Sequence, residues 1–353
     1  MVRVAINGYG RIGRVAHRVI LQWHSPEIEG VGINVGSPAD VTAWMYLLKY
    51  DSVYGLLPLE ITAREDTSVP EMLGYITIEG KDIPVYTQKD PSMLPWKDLD
   101  VDVVIDCTGV FLTAPELQKH LQAGAKSVVL SAPAKDDTVP TYVMSINHDQ
   151  YQGEQIINNA SCTTNCITPV AQVIDSTFGI QKAMMTTIHA YTSDQNLQDG
   201  GHKDPRRARA AGINIIPTTT GATHAAAKVY PPLQDKFGGL SIRVPVPVGS
   251  LSDFTFLLNR DTTIEEVNTV LMQASQEPRF EGILAVTNEP LVSTDIIGSS
   301  YSSIVDLSLT EVVGGNMVKV IAWYDNEYGY ANRLIEQVLL VGAERTVSSQ
   351  PQV

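Results

Sequence analysis

The chain has 353 residues, which at about 150 residues per domain suggests two domains. Hydrophobic residues make up 44% and charged residues 18%, and 25 Lys plus Arg against 39 Asp plus Glu give a formal charge of −14. An acidic, apolar-rich chain with 3 cysteines does not fit a nucleic-acid binder, a disordered polymer or a disulfide-stapled secreted scaffold.

Val2–Asn7 is a short β-branched run that reads as a buried strand. No apolar h-region follows it, and no apolar stretch reaches the ~18 residues of a membrane span. The expectation is therefore a cytoplasmic protein without a membrane partner. Gly8–Gly13 is a glycine-rich turn. Arg11–Trp23 then places Ile12, Val15, Val19 and Ile20 at helical spacing. Val31–Val35 is a second apolar run, which completes a strand, turn, helix, strand unit. Val101–Cys107, a helix near Pro115–Ala123, and strands at Ser127–Leu130 and Gln155–Asn158 extend it to an open, mostly parallel sheet over about 160 residues.

The pattern changes after Cys162. Met184–His189 reads as a strand, and Tyr191–Arg209 as a long irregular segment. Leu240–Val248, Leu251–Asn259, Ser303–Leu309 and Val318–Tyr324 are longer strands, with a helix at Asp261–Ser275. Grouped long strands predict an α+β second domain with an antiparallel or mixed sheet. Tyr330–Ala343 reads as a last helix, and Thr346–Val353 as a fraying tail.

Gly8, Gly10 and Gly13 fit G-x-G-x-x-G between a strand and a helix, the context in which that motif binds a dinucleotide pyrophosphate. A structural turn or another nucleotide is the blander alternative. The carboxylate expected at the end of the second strand is absent: Asn34 is followed by Val35. Val35 can neither bind a ribose 2′-hydroxyl nor repel a 2′-phosphate through its side chain. Ser161-Cys162-Thr163-Thr164-Asn165-Cys166 precedes an apolar-periodic run. That puts Cys162 at a helix N-terminus, where free N–H groups favour a thiolate and an oxyanion. Pro169 inside the run argues for a kink or a later helix start. No Cys or His pair stands at metal-ligand spacing beside Cys166, so no metal is expected. Cys107 and Cys166 read as packing residues. His189 ends a strand and suits either a base or a satisfied structural histidine. His202 and His224 read as surface or packing residues. The basic cluster Lys203–Arg209 and the run Thr218-Thr219-Thr220-Gly221 suit either solvent or an anion. Arg243 lies mid-strand between apolar neighbours, as an edge charge or a purposeful one.

Taken together, these residues resemble the glyceraldehyde-3-phosphate dehydrogenase family from Val2 to about Ala343. The motifs are Ile6–Arg14, Ser161–Cys166, Thr187–Thr192, Arg206–Ala211 and Trp323–Glu327. The resemblance implies an α/β class: a Rossmann-type doubly wound parallel sheet plus an α+β catalytic domain with a mixed or antiparallel sheet. It implies a cofactor domain at 1–161, to which 327–353 packs back, and a catalytic domain at 162–326. It implies phosphorylating oxidation of D-glyceraldehyde 3-phosphate to 1,3-bisphosphoglycerate, in glycolysis, gluconeogenesis or carbon fixation. Cys162 matches the nucleophile and His189 its base. Ser161, Thr163, Thr220 and Gly221 match groups around inorganic phosphate or the reacting atoms. Arg207 matches a phosphate-site arginine, and Thr192 and Arg243 the site for the substrate's own phosphate. The implied cofactor residues are Asn7, Gly8, Gly10, Arg11, Ile12, Gly13, Asn34, Val35, Lys89, Thr108, Gly109, Ser131 and Asn326. The implied assembly is a homotetramer.

The sequence departs from the family at several places. NAD-specific members carry Asp where Val35 stands and Leu-Pro where Gly200-Gly201 stands. Both changes remove features that disfavour a 2′-phosphate, so NADP is expected to be accepted, with NAD or in its place. Lys89 is a candidate partner for that phosphate. Val244–Ser250 and Tyr328 also differ from the family pattern. The competing readings are erythrose-4-phosphate dehydrogenase, which usually alters two segments that stand intact here, and a non-catalytic nucleotide-binding protein of the same fold.

Overall fold

The computed structural model describes residues 1–37 and 39–348. The chain divides into two units: 1–142 with 150–159 and 331–353, and 143–149 with 160–330.

In the first unit the strands are β1 (Val2–Asn7), β2 (Ile28–Asn34), a small ribbon of β3 (Tyr50–Asp51) and β4 (Gly55–Leu56), β5 (Ile61–Glu65), β6 (Met72–Ile78), β7 (Lys81–Tyr86), β8 (Val103–Asp106), β9 (Ser127–Leu130) and β10 (Ile156–Asn158). The main sheet runs β10-β9-β8-β1-β2-β7-β6-β5. It is parallel from β10 to β7, and antiparallel across β7-β6-β5. The parallel strands β8 and β9 are fully buried runs, as expected where helices cover both faces. The antiparallel edge spans a stretch to which the hydrophobic pattern assigned no element. Chain order reverses at β1, whose neighbours are β2 and β8. The crevice beyond the carboxyl ends of such strands is where open α/β sheets take ligands.

Helix α1 (Arg11–Val19) opens directly on the glycine turn and continues as a π-helical segment at Ile20–His24. Helices α2 (Val41–Lys49) and α3 (Ala114–Gln122) complete the unit's internal helices. Thr113 and Glu116 form a capping box at the start of α3, which satisfies its first free N–H groups.

In the second unit α4 (Cys162–Phe178), α5 (Ala222–Val229) and α6 (Ile264–Ala274) pack on a mixed sheet. Its strands are β11 (Ile180–Ala190), β12 (Ile216–Thr218), β13 (Phe237–Val244), β14 (Ser250–Leu258), β15 (Leu284–Thr287), β16 (Ser303–Asp306), β17 (Glu311–Val313) and β18 (Met317–Tyr324). The order is β12-β13-β11-β14-β18-β16-β15, with β17 beside β18. One core joins Ile167, Val170 and Ile174 of α4 to Met185, Phe254, Phe256 and Val320 of the sheet.

Two expectations change. Helix α4 starts at Cys162 and runs unbroken through Pro169. Losing one N–H donor is offset by burying Ile167, Val170, Ala171 and Ile174 completely. The last helix, α7 (Tyr328–Ser348), starts earlier and reaches further than expected, so 346–348 are helical. The remainder of the tail, 349–353, lies outside the described residues.

Candidate active site

The second unit brings a thiol and an imidazole together. Cys162 is the first residue of α4, and Ser161 caps that helix, its Oγ accepting from the Thr164 N–H at 3.1 Å. Buried Ala160 turns the chain into the helix with φ 53°, a left-handed conformation uncommon for a residue with a Cβ. The Tyr330 hydroxyl donates to the Ala160 carbonyl at 3.2 Å and helps hold this turn. His189 stands near the end of β11, with Nε2 3.5 Å from the half-buried Cys162 Sγ. Its Nδ1 is 2.7 Å from the Ala190 carbonyl oxygen. A carbonyl only accepts, so Nδ1 carries the proton and Nε2 turns a lone pair toward the sulfur.

Electrostatics set the resting state of the pair. Burial pushes the Cys162 thiol up, against the Arg243 guanidinium, the Thr163 hydroxyl and the N–H groups of Thr163 and Cys162, which favour the thiolate. The helix N-terminus therefore acts as expected, but burial outweighs it. Burial first, then Arg243 and Arg207, hold the His189 imidazole at about 3. Both shifts disfavour charge on the pair, raising the thiol and lowering the imidazole. Cys107 and Cys166, each pushed by burial to about 12, are inert by comparison.

Two arginines flank the pair. Arg243, on β13, donates from Nη1 to the Thr192 hydroxyl at 3.1 Å and to the Ala190 carbonyl at 3.3 Å, while its buried Nε has no partner among the described residues. A buried orphan donor on a cation is a built invitation to an anion. Arg207 donates from Nε to the Thr218 hydroxyl at 3.0 Å and pairs with Asp194. Thr220 accepts from the Ala222 N–H at 3.1 Å, and Gly221 opens α5. Asn326 Oδ1 accepts from the Ser250 hydroxyl at 2.9 Å and the Gly249 N–H at 3.2 Å. Ser250 Oγ in turn accepts from the Ala190 N–H at 3.1 Å, which ties Asn326 to the strand end carrying His189.

Sequence reasoning missed Tyr324. Its hydroxyl lies 3.0 Å from Thr163 Oγ1 and 2.8 Å from Thr187 Oγ1, and its ring meets His189 edge to face at 6.0 Å. It stands within the Trp323–Glu327 motif, so the signal was present but read only for Asn326. The Ala190 carbonyl left no signal, because a backbone acceptor has no residue type.

The remaining sequence candidates belong to the first unit. Gly8 has φ 89°, and a Cβ there would lie 2.6 Å from the Thr108 nitrogen. A Cβ at Gly13 would collide with the Gly8 carbonyl, whereas one at Gly10 would meet no protein atom within 4 Å. Two glycines are thus demanded by the fold, and the third leaves a cradle at the start of α1 next to half-buried Ile12. Arg11 pairs with Asp51 and lies over the Tyr54 ring. Asn7 Nδ2 donates to Asp106 at 2.8 Å. Asn34 donates to Asn7 at 2.7 Å and to the Gln88 carbonyl at 2.9 Å, and accepts from the Gln88 N–H at 2.9 Å. Thr108 folds back on Asp106 at 2.7 Å, and Gly109 has φ 67°. Ser131 hydrogen-bonds the Cys107 thiol. Val35 is half-buried with its N–H on the Tyr86 carbonyl at 2.8 Å, and Lys89 is exposed.

Comparison with known proteins gives this arrangement its context. Residues 2–114 match the model for the glyceraldehyde 3-phosphate dehydrogenase NAD binding domain, and residues 161–326 that for the C-terminal domain. The glyceraldehyde-3-phosphate dehydrogenase of Streptomyces coelicolor is 47% identical over 343 residues, covering 97% of this chain and 98% of that protein. The chain belongs to the glyceraldehyde-3-phosphate dehydrogenase family. The Thermotoga maritima glyceraldehyde-3-phosphate dehydrogenase is 49% identical over 97% of this chain and 99% of its own length. That of Mycobacterium avium is 47% identical over 97% of this chain and 98% of its own length. The chain is thus an oxidoreductase of this family with a nicotinamide dinucleotide as cofactor. Among the described residues no helix is long and apolar enough to cross a membrane, and no cluster of metal-ligating side chains occurs.

Proposed function

We propose that the protein oxidises D-glyceraldehyde 3-phosphate to 1,3-bisphosphoglycerate, with Cys162 as nucleophile and His189 as base. The observation that carries this reading is the Nε2 lone pair held 3.5 Å from Sγ by the Nδ1 bond to Ala190. His189 takes the thiol proton as Sγ adds to the aldehyde carbon, and returns it to the oxygen to give a hemithioacetal. A nicotinamide dinucleotide supplies, when bound, the acceptor for the hydride on that carbon. His189 takes the hydroxyl proton as the carbonyl reforms, leaving a thioester on Cys162. An oxygen of inorganic phosphate then attacks the thioester carbon, and the thiolate departs from an acyl phosphate. Arg243 and Thr192 hold the substrate's phosphate. Arg207 takes inorganic phosphate, with Ser161, Thr163, Thr220 and Gly221 around the reacting group. Asn326 offers its amide N–H group to the nicotinamide carboxamide, since Oδ1 is already engaged.

The purified protein is expected to sustain reduction of NAD or NADP with D-glyceraldehyde 3-phosphate only when inorganic phosphate is present; without it, reduction stops at about one equivalent per chain, when Cys162 is acylated. Faster turnover of erythrose 4-phosphate would favour the sister enzyme. No reduction with either aldehyde would leave a nucleotide-binding protein without catalysis.

The glycine turn suits the pyrophosphate for the reason given above: Gly10 alone is free of packing demands. Gly10→Ala is therefore expected to raise the cofactor KM with the melting temperature nearly unchanged. Gly13→Ala is expected to destabilise the fold through overpacking, on the order of 1–3 kcal/mol. Thermal melts and cofactor titrations of the two variants separate these outcomes; equal loss of stability in both would contradict the assignment.

NADP acceptance rests on the region after β2. Val35 offers no carboxylate, and Asn34 clamps Gln88, which fixes the segment leading to exposed Lys89 beside the end of β2. Val35→Asp is expected to cut kcat/KM for NADP relative to NAD on the order of tenfold or more, by like-charge repulsion of the 2′-phosphate. An unchanged ratio would remove Val35 from cofactor choice.

Self-association fits the outer face of the second sheet. Met184 is 61% exposed and Val313 61%, on the face opposite the core. With Leu240 and Met317 they are exposed apolar side chains on a face that also carries the Lys319–Asp253 ion pair, a mixed face suited to a second copy in a cytoplasmic homotetramer.

A further inference from the structure

The two arginines of the site differ in what already holds them. Among the described residues Arg243 makes no ion pair; it has a hydroxyl, a carbonyl and an orphaned Nε. Arg207 is paired with Asp194 and has Asp204 3.6 Å from Nε, so two carboxylates offset its charge. Those two carboxylates are not equivalent. Asp204 is fixed, accepting from the Thr218 hydroxyl at 2.8 Å and the Arg206 N–H at 2.9 Å. Asp194 has a side chain 48% exposed, against 20% for Arg207, and depends mainly on the arginine itself. A half-exposed ion pair is worth little, so this carboxylate can yield to a competing anion. His202 is placed to receive it. Its Nδ1 lies 2.9 Å from the Asp204 nitrogen and 3.1 Å from the Asp204 carbonyl oxygen, which leaves Nε2 facing Asp194 Oδ1 at 3.7 Å.

We propose that Asp194 is a tethered competitor for the Arg207 guanidinium that sets the affinity of that site for inorganic phosphate. This rests on the assignment of Arg207 to phosphate made above. Phosphate displaces the Asp194 carboxylate from Nη1, while Asp204 and Thr218 keep the guanidinium in place. The consequence is a graded pair of anion sites. The open Arg243 holds the aldehyde's phosphate, and the pre-paired Arg207 binds the inorganic ion weakly enough to exchange each turnover.

The test is steady-state kinetics with phosphate varied at saturating aldehyde and cofactor, at low and high ionic strength. Asp194→Asn is expected to lower the phosphate KM by about three- to tenfold at low salt and by less at high salt, with a smaller change in the aldehyde KM. Asp199→Asn removes the same charge from the exposed Asp199–Arg209 pair, 2.8 Å apart, and is expected to leave the phosphate KM in place. An unchanged or raised phosphate KM in Asp194→Asn, or an equal fall in Asp199→Asn, overturns the proposal. Asp194→Ser supplies the same readout should the Asn variant fold poorly. Arg207→Gln tests the underlying assignment separately. If it leaves the phosphate KM unchanged, Arg207 is not the phosphate residue. If it raises that KM while Asp194→Asn does nothing, only the competitor role fails.

Discussion

Replacing Cys162 by Ser is expected to reduce turnover below about a thousandth of wild type with the fold intact. A hydroxyl at this position is a far weaker nucleophile than a thiol, and the neutral His189 is a modest base for it. Cys162 is only half-buried and Ser is smaller, so the change leaves the start of α4 and its Ser161 cap in place. Thermal melting close to wild type, together with lost turnover, is the expected pair of results. Substantial residual activity would mean that another group attacks the aldehyde. Cys107 and Cys166 are poor substitutes, since burial holds both thiols at about 12.

His189→Gln is expected to lower kcat by about 10²- to 10⁴-fold at neutral pH, the usual worth of a positioned general base. The pH dependence carries more information than the size. Burial and the two arginines hold the imidazole at about 3, so in the wild type it is an unprotonated base throughout the neutral range. Without it, attack depends on thiolate formed by solvent, and burial has pushed that thiol upward. Thiolate increases with pH, so the variant's residual rate should climb more steeply than that of wild type between about pH 6 and 9. A kcat/KM profile parallel to wild type would remove His189 from the proton transfer and leave it a structural neighbour of Tyr324.

The part of the fold that was legible from sequence is the part with local rules. The β1–turn–α1 unit combines a buried β-branched run, glycines that only the turn explains, and an apolar stripe at helical spacing. The antiparallel strands β5 to β7 were not assigned: β5 closes on charged Arg64 and Glu65, and β7 opens on Lys81 and Asp82 and contains Pro84, which weakens a strand signal. They pair with each other in sequence order, and only β7 meets a distant strand, β2. Pro169 misled for a related reason: its local cost is real, and only tertiary burial of α4 overrides it. In the site, Cys162 and His189 could be singled out because their chemistry is rare and their neighbours form motifs. What orients them was hidden. The Ala190 carbonyl that fixes the tautomer is backbone, and the hydroxyl of Tyr324 reaches Thr163 from the far end of the unit. The Asp194–Arg207 pair was hidden too, because the sequence singles out the basic cluster and nothing in it shows which carboxylate that cluster meets.

The account turns on a thioester formed at Cys162 and cleaved by phosphate, and that intermediate can be observed directly. The protein would be mixed with D-glyceraldehyde 3-phosphate and NAD or NADP in the absence of phosphate, then examined by intact-protein mass spectrometry with peptide mapping. The expected result is one 3-phosphoglyceryl group per chain on Cys162, which disappears with release of acyl phosphate once inorganic phosphate is added. A protein that reduces the cofactor without acquiring the group, acquires it elsewhere, or keeps it after phosphate is added would contradict the mechanism.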